Sequence, residues 1–222
     1  MCHTPDPGGQ RGVALLSRVP FAVSLDPWFA LVSIPTRIAA AVLATDPTLT
    51  VVGIYAPSRD RSAAKTLRKR RFIDSFLCAV AQLPAERRQR MLLGGDYNVI
   101  ARTHQPPHRG FLPFEFGLLE ALHAGGFLDA HQHHAPGEQP HSWIGRTGDG
   151  YRYDYFHLTA ALADRITLSR YLHDPRDQRL TDHAALPLTL DIAVPSSGPD
   201  STGQHTTFLT TVQGDQQAES PA

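Results

Sequence analysis

An acidic residue and an amide follow two glycines at the end of an apolar run. In residues 91–100, Met-Leu-Leu-Gly-Gly precedes Asp96, and Asn98 comes two positions later. If the backbone stays extended past Gly95, the two side chains point to the same side. A carboxylate and a carboxamide placed in this way can hold a hard cation or a water molecule, and the amide can donate to a phosphate oxygen. The alternative interpretation is a β-turn, because Gly, Asp and Asn are common turn residues.

A second pair of candidate residues, Asp182 and His183, comes shortly before the apolar run at 186–192. Adjacent residues of a strand face opposite ways, so both can serve one site only where the backbone turns. Histidine can change its charge near neutral pH, and carboxylate oxygens bind hard metal ions. A polar loop without a function is the alternative.

The third candidate is Asp154, which lies within the aromatic strand pattern of residues 151–158. A carboxylate buried in such a strand is costly unless it has a partner. A histidine that the carboxylate orients would be a functional partner. A salt bridge to Arg152 is the alternative, although neighbouring side chains of a strand point to opposite faces.

The elements that would position these residues are short apolar runs and two helical patterns. Strands are predicted at residues 12–16, 38–43, 51–55, 91–93, 151–158 and 186–192, and helices at 63–83 and at about 114–123. Several strands are apolar on both faces, which is typical of strands buried between two layers. The mixture predicts an α/β sandwich in which helices cover packed sheets.

Length and composition favour one soluble domain. The chain has 222 residues, with 21 Lys and Arg against 21 Asp and Glu, so it has no global attraction for polyanions. No apolar run approaches the roughly 20 residues that a membrane span needs, and the first residues do not resemble a signal peptide. We therefore expect a cytoplasmic protein with no membrane partner.

The two ends of the chain have the composition of loops. We expect a disordered or loop-like start at residues 1–10, a folded domain at 11–194 and a disordered tail at 195–222. The two cysteines, Cys2 and Cys78, are too few for a disulfide framework or a cysteine zinc site. Cys78 lies in an apolar helical pattern, so we expect it in the core.

Three weaker signals remain. Ten basic residues lie between residues 59 and 90, where a solvated helix face is favoured over a phosphate-binding surface: Arg59, Arg61, Lys65, Arg68, Lys69, Arg70, Arg71, Arg87, Arg88 and Arg90. A histidine cluster at 131–141 favours a loop over a zinc site. Trp143 could stack on a sugar or a base, or pack in the core.

Four short motifs together resemble the endonuclease/exonuclease/phosphatase superfamily. They are Gly-Ile-Tyr-Ala-Pro at 53–57, Gly-Gly-Asp-Tyr-Asn at 94–98, Arg-Tyr-Asp-Tyr at 152–155 and Thr-Asp-His at 181–183. Ser-Trp at 142–143 and Gly-Phe-Leu-Asp-Ala at 126–130 make the chain more similar to the exonuclease III and abasic-site endonuclease branch. The resemblance covers residues 11–192 and implies a four-layer α/β sandwich, with two packed β-sheets flanked by helices, that hydrolyses phosphoesters at a divalent-metal site.

The resemblance also implies roles for individual residues. Asp96 would position or deprotonate the attacking water, and Asn98 would contact the phosphate or the metal. His183 would stabilise charge on the phosphorane and Asp154 would orient His183. The remaining residues implied at the site are Asp182 as a metal ligand together with Asp96 and Asn98, Tyr55 as a phosphate contact, and Trp143 as a substrate contact. Mg²⁺ or Mn²⁺ would be the cofactor.

The chain departs from the superfamily pattern at its start. Members begin with a strand that carries Asn-x-Asn and a strand that ends in Gln-Glu, whose Glu is a principal metal ligand, whereas residues 9–18 here resemble the strand that follows them. Either the chain is a fragment or the product of a truncated gene model, or the protein has lost its principal metal ligand. We expect an amino-terminally truncated domain with an uncovered apolar sheet edge or face and impaired, metal-poor catalysis.

The leading interpretation is a Mg²⁺-dependent phosphoesterase of the nuclease type that acts on DNA. The alternatives are a phosphatase or phosphodiesterase for a small molecule or a lipid headgroup, and a non-catalytic remnant that binds polyanions. The sequence identifies no protein partner.

Overall fold

The computed structural model describes residues 2–3, 12–23, 27–195 and 206–210. The strands are β1 (Cys2–His3), β2 (Ala14–Leu15), β3 (Phe21–Val23), β4 (Ile38–Leu43), β5 (Leu49–Tyr55), β6 (Met91–Asp96), β7 (Phe127–Asp129), β8 (Trp143–Ile144), β9 (Gly150–Tyr151), β10 (Asp154–Thr159), β11 (Ile166–Ser169), β12 (Leu186–Leu190) and β13 (Thr206–Thr210). The α-helices are α1 (Ala63–Ala81), α2 (Ala85–Arg88), α3 (Pro113–Ala124), α4 (Ala130–His134), α5 (Ala160–Ala163) and α6 (Asp174–Asp177), and 3₁₀ turns cover Pro27–Leu31 and Pro35–Arg37.

A six-stranded sheet with the order β3-β4-β5-β6-β10-β7 forms the centre of the domain. Strands β5 and β6 are parallel, and every other pair in this sheet is antiparallel. Parallel neighbours need a long crossover, and α1 lies in that connection. Ser62 caps α1 by accepting a hydrogen bond from the backbone N–H of Lys65, which fixes where the helix begins after β5.

Helices cover one face of the central sheet. Phe76 and Val80 of α1 and Leu122 of α3 are buried in one cluster with Val52 and Leu93 of the sheet. This packing explains why the predicted helices at 63–83 and 114–123 are present with nearly the expected bounds.

A second sheet covers the opposite face. It has the order β11-β12-β13, and Leu186, Leu188 and Leu190 of β12 are buried in one cluster with Leu92 and Phe156 of the central sheet. Strands β5, β6 and β10 are therefore apolar on both sides because both of their faces are buried. Two packed sheets with helices on the outer side confirm the predicted α/β sandwich.

Several local predictions differ from the structure. The aromatic run at 151–158 is divided between β9 and β10, because the chain changes sheets after Tyr151. The prediction that Cys78 is in the core is wrong, since Cys78 is exposed; it lies on the solvent side of α1, beside Ala79, which is buried.

The ends of the chain contain two short strands. Strand β13 pairs with β12 inside the segment predicted as a disordered tail, and β1 pairs with β2 inside the predicted loop-like start. Each added strand satisfies backbone groups of a neighbouring edge. Residues 4–11, 196–205 and 211–222 lie outside the described residues, so the rest of both predictions stays a prediction.

Apolar surface is exposed near the start of the described domain. Leu16 and Val23 are 74% and 48% exposed, and Val23 belongs to β3, an edge strand of the central sheet. The expectation of an apolar edge left uncovered by missing strands stays a prediction. Among the described residues, no helix is both long and apolar enough to cross a membrane.

Candidate active site

Three of the candidate residues form one row across the central sheet. Tyr55 pairs in register with Asp96, and Asp96 pairs with Asp154 on its other side. Tyr55 ends β5, Asp96 ends β6 and Asp154 begins β10. The sheet therefore places three residues that are far apart in sequence side by side, at the same end of three neighbouring strands.

The two glycines before Asp96 allow close packing within the sheet. A Cβ atom on Gly94 would lie 2.2 Å from the ring of Phe156, and one on Gly95 would lie 2.0 Å from the carbonyl oxygen of Ile54. Gly95 also has a φ of +137°, which side chains rarely tolerate. Both glycines lie within β6, so they do not form the β-turn that was the alternative interpretation.

Asn98 folds back onto Asp96. Its backbone N–H donates to Asp96 Oδ1 at 2.7 Å, and its side-chain Nδ2 donates to Asp96 Oδ2 at 2.8 Å and to the carbonyl oxygen of Ala56 at 2.9 Å. The condition of an extended backbone is met only as far as Asp96, because β6 ends there and Asn98 has a left-handed φ of 50°. Both amide hydrogens are engaged within the protein, so the side-chain oxygen is the atom left to contact a ligand.

Asp154 and His183 form a buried pair. Nδ1 of His183 lies 2.7 Å from Oδ2 of Asp154, whose side chain is fully buried. This is the partner that the sequence led us to expect for Asp154. Arg152, the alternative partner, instead forms an ion pair with Asp129 at 2.6 Å.

The charges around His183 favour its protonated form. Burial alone would lower its pKa, but the hydrogen bond and charge of Asp154, together with Asp96 and Asp182, outweigh burial and raise the pKa to about 9. Burial and the charge of Asp154 raise the pKa of Asp96 to about 7. The site therefore combines a cationic imidazole with a carboxylate that is more basic than an ordinary Asp.

Asp182 and Trp143 meet at the rim of the site. Nε1 of Trp143 donates to Oδ2 of Asp182 at 3.3 Å. A backbone bridge joins Trp143 to His183, and the chain bends at Asp182. This bend lets the adjacent residues Asp182 and His183 reach one site, as the sequence required.

A cleft of about 570 Å³ contains most of the predicted residues. Tyr55, Asp96, Asn98, Trp143, Asp182 and His183 line it, together with Ser58, Arg59, Asp60, Arg61, Lys69, His108, Gly110, Phe111, Glu115 and Tyr153. Asp154 is behind the cleft and meets it through His183. The residues that the sequence motifs selected are therefore brought together at one mouth of the sandwich.

A buried charge cluster beside the cleft was not foreseen. Glu115 accepts hydrogen bonds from Lys69 Nζ at 2.7 Å and from Arg59 Nε at 2.9 Å, and Lys69 also donates to the carbonyl oxygen of Asn98 at 2.6 Å. Lys69 and Arg59 are thus buried or nearly so. For these two residues, the prediction that the basic segment at 59–90 forms a solvated helix face is wrong. The signal was the position of Lys69 four residues before Ile73, on the apolar face of α1.

The described residues do not by themselves fit a divalent cation. They contain no group of three His, Cys, Asp or Glu side chains placed to hold a metal ion. Both oxygens of Asp96 already accept hydrogen bonds from Asn98, and Asp182, which also lines the cleft, accepts one from Trp143. We therefore derive no chemical step through a metal.

The histidine cluster also lacks such a group. His131 belongs to α4 rather than to the predicted loop; it is buried, and its Nδ1 lies 3.3 Å from the carbonyl oxygen of Ser169. His133 and His134 are exposed on the same short helix. In the described part of the chain this cluster forms no metal site.

The fold and the cleft together define a hydrolase of the α/β sandwich class. The chain matches the Endonuclease/Exonuclease/phosphatase family over residues 1–202, and it belongs to this family. Enzymes of the family generally depend on a divalent metal. No curated protein sequence matches the chain significantly.

Solved structures with a similar fold include three nucleases or phosphatases. The 3′ phosphatase NExo from Neisseria, bound to a product DNA hairpin, is 20% identical, with 78% of this chain and 70% of that chain covered and a TM-score of 0.61. An AP endonuclease from Archaeoglobus fulgidus is 20% identical, with coverage of 78% and 70% and a TM-score of 0.59. The 3′-5′ exonuclease NExo from Neisseria meningitidis is 19% identical, with coverage of 75% and 68% and a TM-score of 0.58. At this identity the likeness concerns the fold.

Proposed function

We propose that the chain is a phosphoesterase that hydrolyses phosphodiester bonds in DNA. The observation that carries this proposal is the pairing of Asp154 with His183 beside Asp96, at the mouth of the cleft. Phosphoryl transfer needs a positioned water and positive donors on the phosphate oxygens. The cleft offers groups for both tasks.

His183 would act on the phosphate. Its Nδ1 is engaged by Asp154, so its Nε2–H is left to donate to a non-bridging oxygen. The positive charge retained on the ring stabilises the negative charge that develops there. A donor of this kind is worth roughly 3 kcal/mol in the transition state.

Asp96 would act on the water. With its raised pKa, the carboxylate can take a proton as the water oxygen bonds to phosphorus, and the hydrogen bonds from Asn98 hold it in one orientation. The bond from phosphorus to the leaving oxygen breaks, and that oxygen takes a proton from solvent. Tyr55 lies next to Asp96 in register and lines the cleft, where it would contact the phosphate.

Aromatic side chains on one side of the cleft favour a nucleic acid over a small phosphoester. We call His108, Phe111, Trp143 and Tyr153 the aromatic wall; the rings of Trp143 and Tyr153 are 5.7 Å apart, and those of His108 and Phe111 are 5.1 Å apart. Such rings stack on bases and sugars. Arg61 also lines the cleft, where a cation favours the approach of a phosphate chain, whereas the charge of Arg59 is compensated by Glu115.

The structural neighbours lend support to DNA as the substrate. One of them is bound to a DNA hairpin, and another is an AP endonuclease. A cytoplasmic location belongs to the same proposal and can be checked by cell fractionation.

The test is a cleavage assay on three DNA duplexes, which carry a 3′-phosphate, an abasic site or a nick. Each is incubated with Mg²⁺, with Mn²⁺ or with EDTA, and p-nitrophenyl phosphate serves as the small substrate. We expect cleavage of DNA that His183→Ala and Asp96→Asn abolish, while the exposed variant Glu120→Gln retains it. The EDTA arm shows whether this cleavage needs a divalent cation supplied from solution. Preference for p-nitrophenyl phosphate would favour a small-molecule phosphatase, and binding of DNA without cleavage would favour a non-catalytic remnant.

A further inference from the structure

The backbone of Asp154 is held from two sides by side-chain hydroxyls. On one side, Oγ of Ser142 accepts hydrogen bonds from the N–H groups of Tyr153 at 2.8 Å and of Asp154 at 3.1 Å. On the other side, the hydroxyl of Tyr171 donates to the carbonyl oxygen of Asp154 at 2.6 Å. Two residues from different parts of the chain therefore fix the two peptide groups of Asp154.

Both hydroxyls are themselves held in place. The carbonyl oxygen of Ser142 accepts a hydrogen bond from the N–H of Ala184 at 2.6 Å, so Ser142 ties Asp154 to the residue that follows His183. The Tyr171 hydroxyl accepts a hydrogen bond from Nε of Arg152 at 2.7 Å. The guanidinium of Arg152 is in turn bound to Asp129 at 2.6 Å.

The side chain of Asp154 has few contacts of its own that could set its position. Oδ2 meets His183, whereas Oδ1 is buried without a hydrogen-bond partner among the described residues. A carboxylate with a single directed contact can rotate or shift unless its backbone is fixed. The direction of the Asp154 carboxylate therefore depends on the peptide groups that Ser142 and Tyr171 hold.

We propose that Ser142 and Tyr171 are positioning residues, which set the geometry of the Asp154–His183 hydrogen bond by clamping the backbone of Asp154. The proposal rests on the function proposed above for His183. Neither residue touches the substrate: Ser142 is fully buried, and Tyr171 does not line the cleft. A shift of about 1 Å in a group that positions a catalytic residue can cost a hundredfold in rate.

The clamp can be tested with a matched pair of tyrosine variants. Tyr171→Phe removes the hydroxyl that bonds to Asp154, while Tyr97→Phe removes a buried hydroxyl that has no hydrogen-bond partner among the described residues. We expect Tyr171→Phe to lower kcat about tenfold or more with KM unchanged, and Tyr97→Phe to leave both unchanged. Ser142→Ala should behave like Tyr171→Phe.

A double variant separates positioning from a general structural role. If Tyr171 acts through Asp154, Tyr171→Phe should lower kcat no further in the Asp154→Asn background. Equal losses in both backgrounds would overturn the proposal. Thermal unfolding of each variant shows whether it is folded.

A second measurement does not depend on activity. The Nδ1–H proton of His183, in a short hydrogen bond to a carboxylate, should give a far-downfield proton resonance, assigned by its loss in His183→Ala. We expect Tyr171→Phe and Ser142→Ala to shift or broaden this resonance and Tyr97→Phe to preserve it. An unchanged resonance in Tyr171→Phe, or none in the unmodified protein, would overturn the clamp. If the chain proves inactive while the resonance responds as expected, the clamp stands and the proposed reaction fails.

Discussion

Oδ2 of Asp154 and Nδ1 of His183 lie 2.7 Å apart in the interior of the sandwich, with His183 as the side chain that reaches the cleft. By binding Nδ1, the Asp154 carboxylate leaves Nε2 of the imidazole to face the cleft, and its negative charge favours the protonated ring. Asp154 does not line the cleft, whereas His183 does. Asp154 therefore stabilises the positive charge, and His183 carries that charge to the cleft.

Replacement of Asp154 by Asn should greatly impair catalysis while preserving the fold. The amide has nearly the same shape, but it cannot support a positive charge on His183 or fix its tautomer. We expect kcat on a cleaved DNA substrate to fall by about 10²–10³-fold. Steady-state kinetics checks this, with the exposed Asp164→Asn as the control; a loss of less than threefold would contradict the role of the pair.

Trp143 should matter for long substrates and little for small ones. Trp143→Ala removes a ring of the aromatic wall, where a stacked base contributes about 1–3 kcal/mol, so KM for an oligonucleotide should rise about tenfold. For p-nitrophenyl phosphate KM should change less than twofold, and Trp143→Phe should be intermediate. The neighbouring exposed variant Ile144→Ala is the control. A similar rise for both substrates would argue against stacking.

The buried charge cluster should be sensitive to loss of its carboxylate. Glu115→Gln leaves Lys69 and Arg59 without a counter-charge, and we expect a loss of about 3–5 kcal/mol in the free energy of unfolding. Glu120→Gln on the same helix breaks an exposed pair with Arg102 and should cost less than about 1 kcal/mol. Urea unfolding of the two variants makes the comparison. Equal losses would show that Glu115 is not paired as described.

His157 should contribute a loss of stability in mild acid, opposite in sign to the contribution of Asp96, whose raised pKa favours the folded state as the pH falls. Burial, aided by the charge of Arg152 and opposed by Asp129, lowers the pKa of His157 from 6.5 to about 4. His157 is therefore protonated below about pH 6.5 in the unfolded chain, but only below about pH 4 in the folded chain. The stabilisation is fully present above pH 6.5, and roughly 3 kcal/mol of it should be lost as the pH falls to 4.

The measurement is the free energy of unfolding between pH 7.5 and 4 in the unmodified protein and in His157→Phe. The variant should lose less stability across this range, whereas the exposed His133→Gln should follow the unmodified protein. Identical slopes for the unmodified protein and His157→Phe would contradict the prediction.

Site residues that lie at the ends of strand patterns could be predicted from the sequence. Site residues whose role depends on tertiary contacts could not. Asp96, Asp182 and His183 could be selected because they stand where apolar runs begin or end, and Asp154 because a carboxylate in an aromatic strand needs a partner. The left-handed turn at Asn98 was only partly indicated: Asn is a common turn residue, but no residue type shows that β6 ends at Asp96 rather than two positions later.

The sequence gives no local signal for the partners of several buried residues. Glu115 meets Lys69 and Arg59 across more than forty residues of chain, and only the fold brings them together. Ser142 and Tyr171 act through hydroxyls on a backbone that other segments position. Serine and tyrosine are common in many settings, so their residue types indicate no such role.

The backbone distances between Tyr55, Asp96 and Asp154 are fixed by the pairing of their strands and do not depend on the loops around the site. Neighbouring strands lie about 4.8 Å apart wherever a sheet is hydrogen-bonded, so the backbone spacing of these three residues follows from the ladder itself. Loops such as residues 99–112 can change in length or composition and thereby alter which molecules enter, without altering that spacing. Substrate range and reaction chemistry can therefore diverge independently in proteins built on this sheet.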